Sequence, residues 1–158
     1  MLNKKLLATL AIATAALASA VYAATATGDA TATVATALSV EQTTALSFGT
    51  FTSGTSTGTI NTAGTASGGV TKISNGNPGV FTITGAQNTA INSISGDTAI
   101  ILTGGDQSMD ATLTYPASGT IVTNSSGVAT FNVTGVLNVA ANQPARTYST
   151  TYGVTVNY

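Results

Sequence analysis

The last eleven residues, Tyr148-Ser-Thr-Thr-Tyr-Gly-Val-Thr-Val-Asn-Tyr158, sort by parity more cleanly than any other stretch of this 158-residue chain. Tyr148, Thr150, Tyr152, Val154, Val156 and Tyr158 share one face, and Ser149, Thr151, Gly153, Thr155 and Asn157 the other. A period of two with aromatic and β-branched side chains on one side is the pattern of a half-buried strand. At about 3.4 Å per residue, such a strand reaches roughly 35 Å, enough to cross a small β-sandwich. The expectation is an anchored carboxyl-terminal core strand, with the upstream chain supplying its partners.

At the other end, residues 1–23 read as a secretory signal peptide. Lys4 and Lys5 give a positive start, and Leu6 to Ala18 form a short apolar run. Val21-Tyr22-Ala23 then supplies a cleavage site, with Ala18-Ser19-Ala20 as a second candidate. The mature chain is expected to begin at Ala24, to cross the periplasm and to reach the cell surface. No later run is long and apolar enough to suggest a membrane span.

Charge narrows the partners. After Ala23 only Lys72 and Arg146 stand against Asp29, Glu41, Asp97, Asp106 and Asp110, two bases against five acids and a net charge of −3. Such a chain cannot neutralise a run of phosphates, which excludes nucleic acid, and an anionic membrane surface repels it. Threonine and valine recurring at strand period argue for folded β structure rather than disorder. There is no cysteine. A small exported domain without disulfides needs another source of stability, and assembly with copies of itself is one.

From Ala24 to Val40 small residues alternate with threonine for longer than one ordinary strand, with a natural break at Gly28-Asp29. Two pieces are expected: an arm over 24–33 and a first strand over 34–40. A frayed terminus with one strand is the alternative. Leu46 to Phe51 reads as a strand with a bulge at Gly49. Further strands are expected at Thr57–Thr62, Gly69–Ser74, Val80–Thr84, Ile91–Ile94, Thr98–Leu102, Ala111–Tyr115, Val128–Thr134 and Val136–Ala140. Turn signals recur between them, and no helical period appears. The chain therefore reads as an all-β sandwich, one domain over 34–158.

Chemistry is sparse. The chain has no histidine and no cysteine, so the usual general base, thiol nucleophile and zinc ligands are missing. An enzyme is not expected. Asp97, Asp106 and Asp110 read as solvated loop acids. Asp106-Gln-Ser108-Met-Asp110 spaces oxygens as calcium loops do, yet lacks the glycine and the distal bidentate glutamate. Asp106 and Asp110 are thus weak metal candidates, and no cofactor is expected. Glu41 and Lys72, the single mature glutamate and lysine, read as exposed solubilising charges. Tyr115, Tyr148, Tyr152 and Tyr158 read as core or groove packing rather than a sugar platform.

Leu46-Ser-Phe48-Gly49-Thr-Phe51, Phe81-Thr-Ile83-Thr-Gly85 and Leu102-Thr-Gly-Gly105 before Met109 carry a resemblance, as does the tail. That tail is Gly135-Val-Leu-Asn-Val-Ala-Ala-Asn142-Gln143, then Thr147-Tyr148-Ser149 and the closing Val-Thr-Val-Asn-Tyr. The chain resembles a widespread family of small secreted bacterial domains of uncharacterised role, and differs from it at Arg146, where glycine is expected. Those domains are similar to fimbrial subunits. The resemblance implies an incomplete immunoglobulin-like sandwich, completed by a strand donated from the next copy, and passage through a periplasmic chaperone and an outer-membrane usher. It further implies a donor arm with Ala26, Ala30, Ala32 and Val34, and an acceptor-groove strand with Tyr148, Tyr152, Val154, Val156 and Tyr158. The expected function is a structural pilus subunit supporting adhesion or biofilm. The alternative is a monomeric surface module binding a carbohydrate or protein ligand.

Overall fold

The computed structural model describes residues 23–158. Residues 1–22, and with them nearly all of the signal-peptide assignment, lie outside the described residues. The chain divides into two units, Met1–Thr33 and Val34–Tyr158. The described part of the first, 23–33, is exposed throughout and holds no strand.

The second unit is all-β. In chain order its strands are β1 (Ser39–Thr44), β2 (Thr50–Asn61), β3 (Ala66–Ser74), β4 (Gly79–Thr84), β5 (Ala90–Ile91) and β6 (Ser93–Gly96). β7 (Ala99–Gly104), β8 (Gln107–Thr114), β9 (Ile121–Val122), β10 (Val128–Val139) and β11 (Val154–Asn157) follow. Every pairing is antiparallel. Among the described residues there is no helix, hence none long and apolar enough to cross a membrane.

β10 organises the sandwich. Its first half pairs with β4, setting Phe131 opposite Phe81. Its second half pairs with β2 on one edge and β8 on the other, with Leu137 opposite both Ile60 and Ala111. One strand thus serves two sheet portions, β1-β4-β10 and β3-β2-β10-β8-β7. Strict alternation makes this workable: Phe131, Val133, Leu137 and Val139 are buried, and the residues between Phe131 and Val139 on the other parity are exposed. Gly135 occupies an inward position because a Cβ there would lie 2.8 Å from a Leu113 methyl and 3.3 Å from the Phe48 ring. Phe81 and Phe131 stack at 5.3 Å between centroids, with Tyr152 edge-on to Phe81 at 6.0 Å.

Several expected boundaries move. The first strand begins at Ser39 rather than Val34, because pairing with β4 starts at Ser39 opposite Thr84; Val34 itself is 96% exposed. Leu46–Phe51 is not one strand. Ser47 forms a bridge to Asn77, and Gly49 takes φ +77°, where a Cβ would lie 2.7–2.8 Å from the Asn75–Gly76 backbone. β2 extends the strand expected at Thr57–Thr62 back to Thr50, and β10 joins two expected strands into one. Ile91–Ile94 is divided between β5 and β6.

The terminal strand is also shorter than expected. Its parity survives except at Thr150, which is exposed: Tyr148, Tyr152, Val154, Val156 and Tyr158 are half-buried and the odd positions exposed. Its ladder does not. Ser149 bridges Thr103 of β7, whereas Val154–Asn157 pairs with β6. The break lies at Gly153, whose N–H donates to Asp97 Oδ2 at 2.7 Å and whose carbonyl accepts from Asp97 N at 3.2 Å and from the Tyr115 hydroxyl at 3.3 Å. These bonds carry the chain from one strand edge to another.

Candidate functional site: an open groove beside the last segment

A groove of about 710 Å³ opens between Leu46–Ser53 and Arg146–Tyr152. Its floor is apolar and comes from the inward faces of three strands: Ile100 and Leu102 of β7, Met109 of β8 and Leu137 of β10. Phe48, Phe51, Tyr148 and Tyr152 rise along the sides. Inward alternation on each floor strand produces this floor, and nothing in the second unit roofs it.

Both walls are unpaired strand edges. Thr50–Ser53 pairs with β3 on one side, while β10 joins β2 only from Gly58 onward, after the irregularity between Ser53 and Gly58. The other edge of Thr50–Ser53 therefore carries no strand. Across the groove, Ser149 directs its N–H and carbonyl to Thr103. In extended backbone the neighbouring residues point the opposite way, so Tyr148 and Thr150 turn their polar groups away from β7, toward the groove. No backbone partner for Tyr148 or Thr150 exists among the described residues. Bare backbone edges of this kind are templates for another strand.

The two walls run antiparallel to each other. At one end Asn142 N–H donates to Gly54 O at 2.8 Å and Ser53 Oγ donates to Gln143 O at 2.9 Å, close to where the second wall starts. At the other end Leu46 and Tyr152 meet over Gly79, whose added Cβ would run into the Tyr152 hydroxyl and lie 3.3 Å from Leu46.

Residues 142–147 form a strap across the first end. Asn142 adopts φ +53°, a left-handed conformation that asparagine tolerates. Gln143 Nε2 donates to Tyr148 Oη at 2.9 Å and to Ser108 O at 3.2 Å, and Tyr148 Oη donates to Pro144 O at 3.0 Å. Arg146 Nη1 reaches Gly104 O at 3.1 Å and Asp106 Oδ1 at 2.7 Å. That ion pair is well exposed, so it adds at most about 1 kcal/mol. At the opposite end Gln42 Nε2, on β1, donates to Tyr152 Oη at 3.2 Å. Burial raises the Tyr152 pKa above its ordinary value, partly offset by the Gln42 bond. Tyr115 is raised as well, by burial first and then by the nearby Asp97 carboxylate and Tyr152.

Of the residues expected to form an acceptor strand, the groove gathers Tyr148 and Tyr152. Val154, Val156 and Tyr158 do not line it. They lie beyond the break at Gly153 and pack against the core elsewhere, Tyr158 Oη accepting from Ala86 N and donating to Thr36 O at 3.1 Å. Ala26, Ala30 and Ala32 are exposed in the first unit, as is Val34 at the start of the second. Asp106 is drawn to Arg146, and Asp110 stands exposed on β8. Glu41 and Lys72 lie on β1 and β3, opposite ends of the main sheet path. Pattern alone does not mark the strap as a structural unit, although Pro144 and the loss of alternation after Val139 mark where the strand stops.

Residues 38–158 match the protein family described as Domain of unknown function (DUF4402). Comparison with the curated proteins and with the solved structures gives no match.

Proposed function

The chain belongs to the DUF4402 family, and from that premise and the open groove we propose that it is a subunit of an extracellular filament built by strand donation. Residues 24–33 of one copy fill the groove of another. The filament supports adhesion or biofilm. The observation that carries this reading is the pair of bare backbone edges, Thr50–Ser53 and Tyr148–Thr150, standing over an apolar floor. One added strand satisfies both edges and covers the floor, whereas a small-molecule ligand leaves most of those backbone groups to water.

The arm supports the reading from the other side. It is exposed, holds no strand, and alternates small residues with threonine. Its alanines bury little area, so main-chain pairing rather than side-chain burial supplies most of the attraction. Export through the signal peptide, followed by a periplasmic chaperone and an outer-membrane usher, belongs to the same proposal.

Electron microscopy of material sheared from cells expressing the gene with its neighbours tests it, beside a variant lacking 24–33. Filaments and a heat-sensitive ladder on SDS–PAGE are expected from the full chain and neither from the deletion. Monomer in both samples would favour the surface binding module instead.

A further inference from the structure

The groove also dictates which way a donated strand lies, an inference that rests on the strand-donation reading. Its walls are antiparallel: Thr50 to Ser53 runs toward the strap, and Thr147 to Tyr152 runs away from it. A single strand between antiparallel walls is antiparallel to one and parallel to the other, so two orientations compete.

The two ends of the groove decide between them. The strap end is closed by main chain, since Asn142 and Gln143 are bonded to Gly54 and Ser53 and the chain continues covalently into the second wall. The Tyr152 end is closed by side chains alone: Tyr152 and Leu46 crowd Gly79, and Gln42 donates a hydrogen bond to the Tyr152 hydroxyl. A donated arm is tethered at its carboxyl side, where Val34 begins the donor's own second unit. Its amino end is free. Only the free end can terminate against a closed wall, and the tethered end must leave through the gap that a side chain can vacate.

We infer that the arm of a second copy lies with its amino tip against the Gln143–Arg146 strap and leaves past Tyr152, antiparallel to Thr50–Ser53 and parallel to Thr147–Tyr152. The Tyr152 side chain, bonded to Gln42 and crowded against Gly79, then acts as the gate that opens on filling. Antiparallel pairing falls on the β2 edge, where ladder bonds are slightly stronger.

The absence of native cysteine makes disulfide mapping clean. A bridge needs Cα atoms within about 7 Å, while the six residues Thr147–Tyr152 span roughly 20 Å, so a cysteine pair reports one end only. Ala26→Cys and Ala32→Cys mark the arm's tip and base; Ala145→Cys and Thr150→Cys mark the strap end and the far wall. Each double variant of the full chain is oxidised with diamide and run on non-reducing SDS–PAGE. The expected result is intermolecular cross-linking in the Ala26–Ala145 and Ala32–Thr150 pairs. Cross-linking in Ala32–Ala145 and Ala26–Thr150 instead would overturn the orientation and leave strand donation standing. No cross-link in any pair, from chains that remain monomeric, would remove strand donation and the orientation with it.

Discussion

Ser149 and Thr103 exchange both of their backbone hydrogen bonds, at 3.0 and 3.1 Å. This one bridge fixes the far wall of the groove to β7 and turns the polar groups of Tyr148 and Thr150 outward over the apolar floor. Ser149→Pro removes the donor of the 3.0 Å bond and leaves a carbonyl of Thr103 without it. A loss of about 1 kcal/mol in urea unfolding is expected. Filament yield should fall much further, because the wall loses its register. Ser149→Ala keeps the backbone bond and should match the parent in both assays.

Gly79 sits directly beneath the Tyr152 hydroxyl. Gly79→Ala pushes the ring away, breaking the Gln42 bond and the edge contact with Phe81, at a cost of about 1–2 kcal/mol. Tyr152→Phe removes the obstructing oxygen. In a double-mutant cycle, Gly79→Ala should therefore cost less in the Tyr152→Phe background. Additive costs would show that the two residues do not press on each other.

Thr123 is a buried polar side chain, 2% exposed. Its hydroxyl donates to Ala86 O, and it accepts from Thr89 N at 2.9 Å, tying the turn before β5 to the strand end after β9. Thr123→Val keeps the shape and strands both partners, so about 1–3 kcal/mol of stability should be lost. Thr123→Ser keeps the hydroxyl and should lose less. Chemical denaturation of the two variants separates the hydrogen bonds from the methyl group.

The tyrosines give the pH dependence. Tyr115 and Tyr152 both titrate above their ordinary value of 10.0 in the folded protein, chiefly through burial. A phenol whose folded pKa exceeds its unfolded one favours the folded state fully below the unfolded value, and that contribution is lost as pH rises through the folded one. The thermal midpoint should therefore hold steady through neutral pH and decline above about pH 10. Tyr115→Phe with Tyr152→Phe should flatten the decline. A midpoint in the double variant that falls as steeply as in the parent would assign the alkaline loss to other groups.

Sequence and structure agree where the physics is local. Phe81 and Ile83, like Phe131, Val133, Leu137 and Val139, alternate in the sequence and are buried, because side-chain period follows extended backbone whatever the partner. The same rule explains why parity in Tyr148–Tyr158 survived although the ladder changed hands at Gly153. What parity does not encode is which strand lies alongside. The Thr/Gly/Ser stretch of β2 carried little hydrophobic pattern, so its twelve-residue length came from pairing to β3 and β10 rather than from its own composition. The groove was still less legible. Its floor comes from Ile100, Leu102, Met109 and Leu137, its walls from residues nearly a hundred positions apart, and its closed end from a loop held to β2 by one main-chain bond and one from the Ser53 hydroxyl.

Titration of a synthetic peptide of residues 24–34 into the chain lacking 24–33 tests the groove most directly. Binding to the folded state raises stability by about 2.7 kcal/mol once free peptide exceeds its Kd a hundredfold. The expected result is a saturable rise in thermal midpoint, absent for a peptide with prolines at alternating positions that cannot form the ladder. A truncated domain that folds yet shows the same midpoint with and without the arm peptide would contradict strand donation.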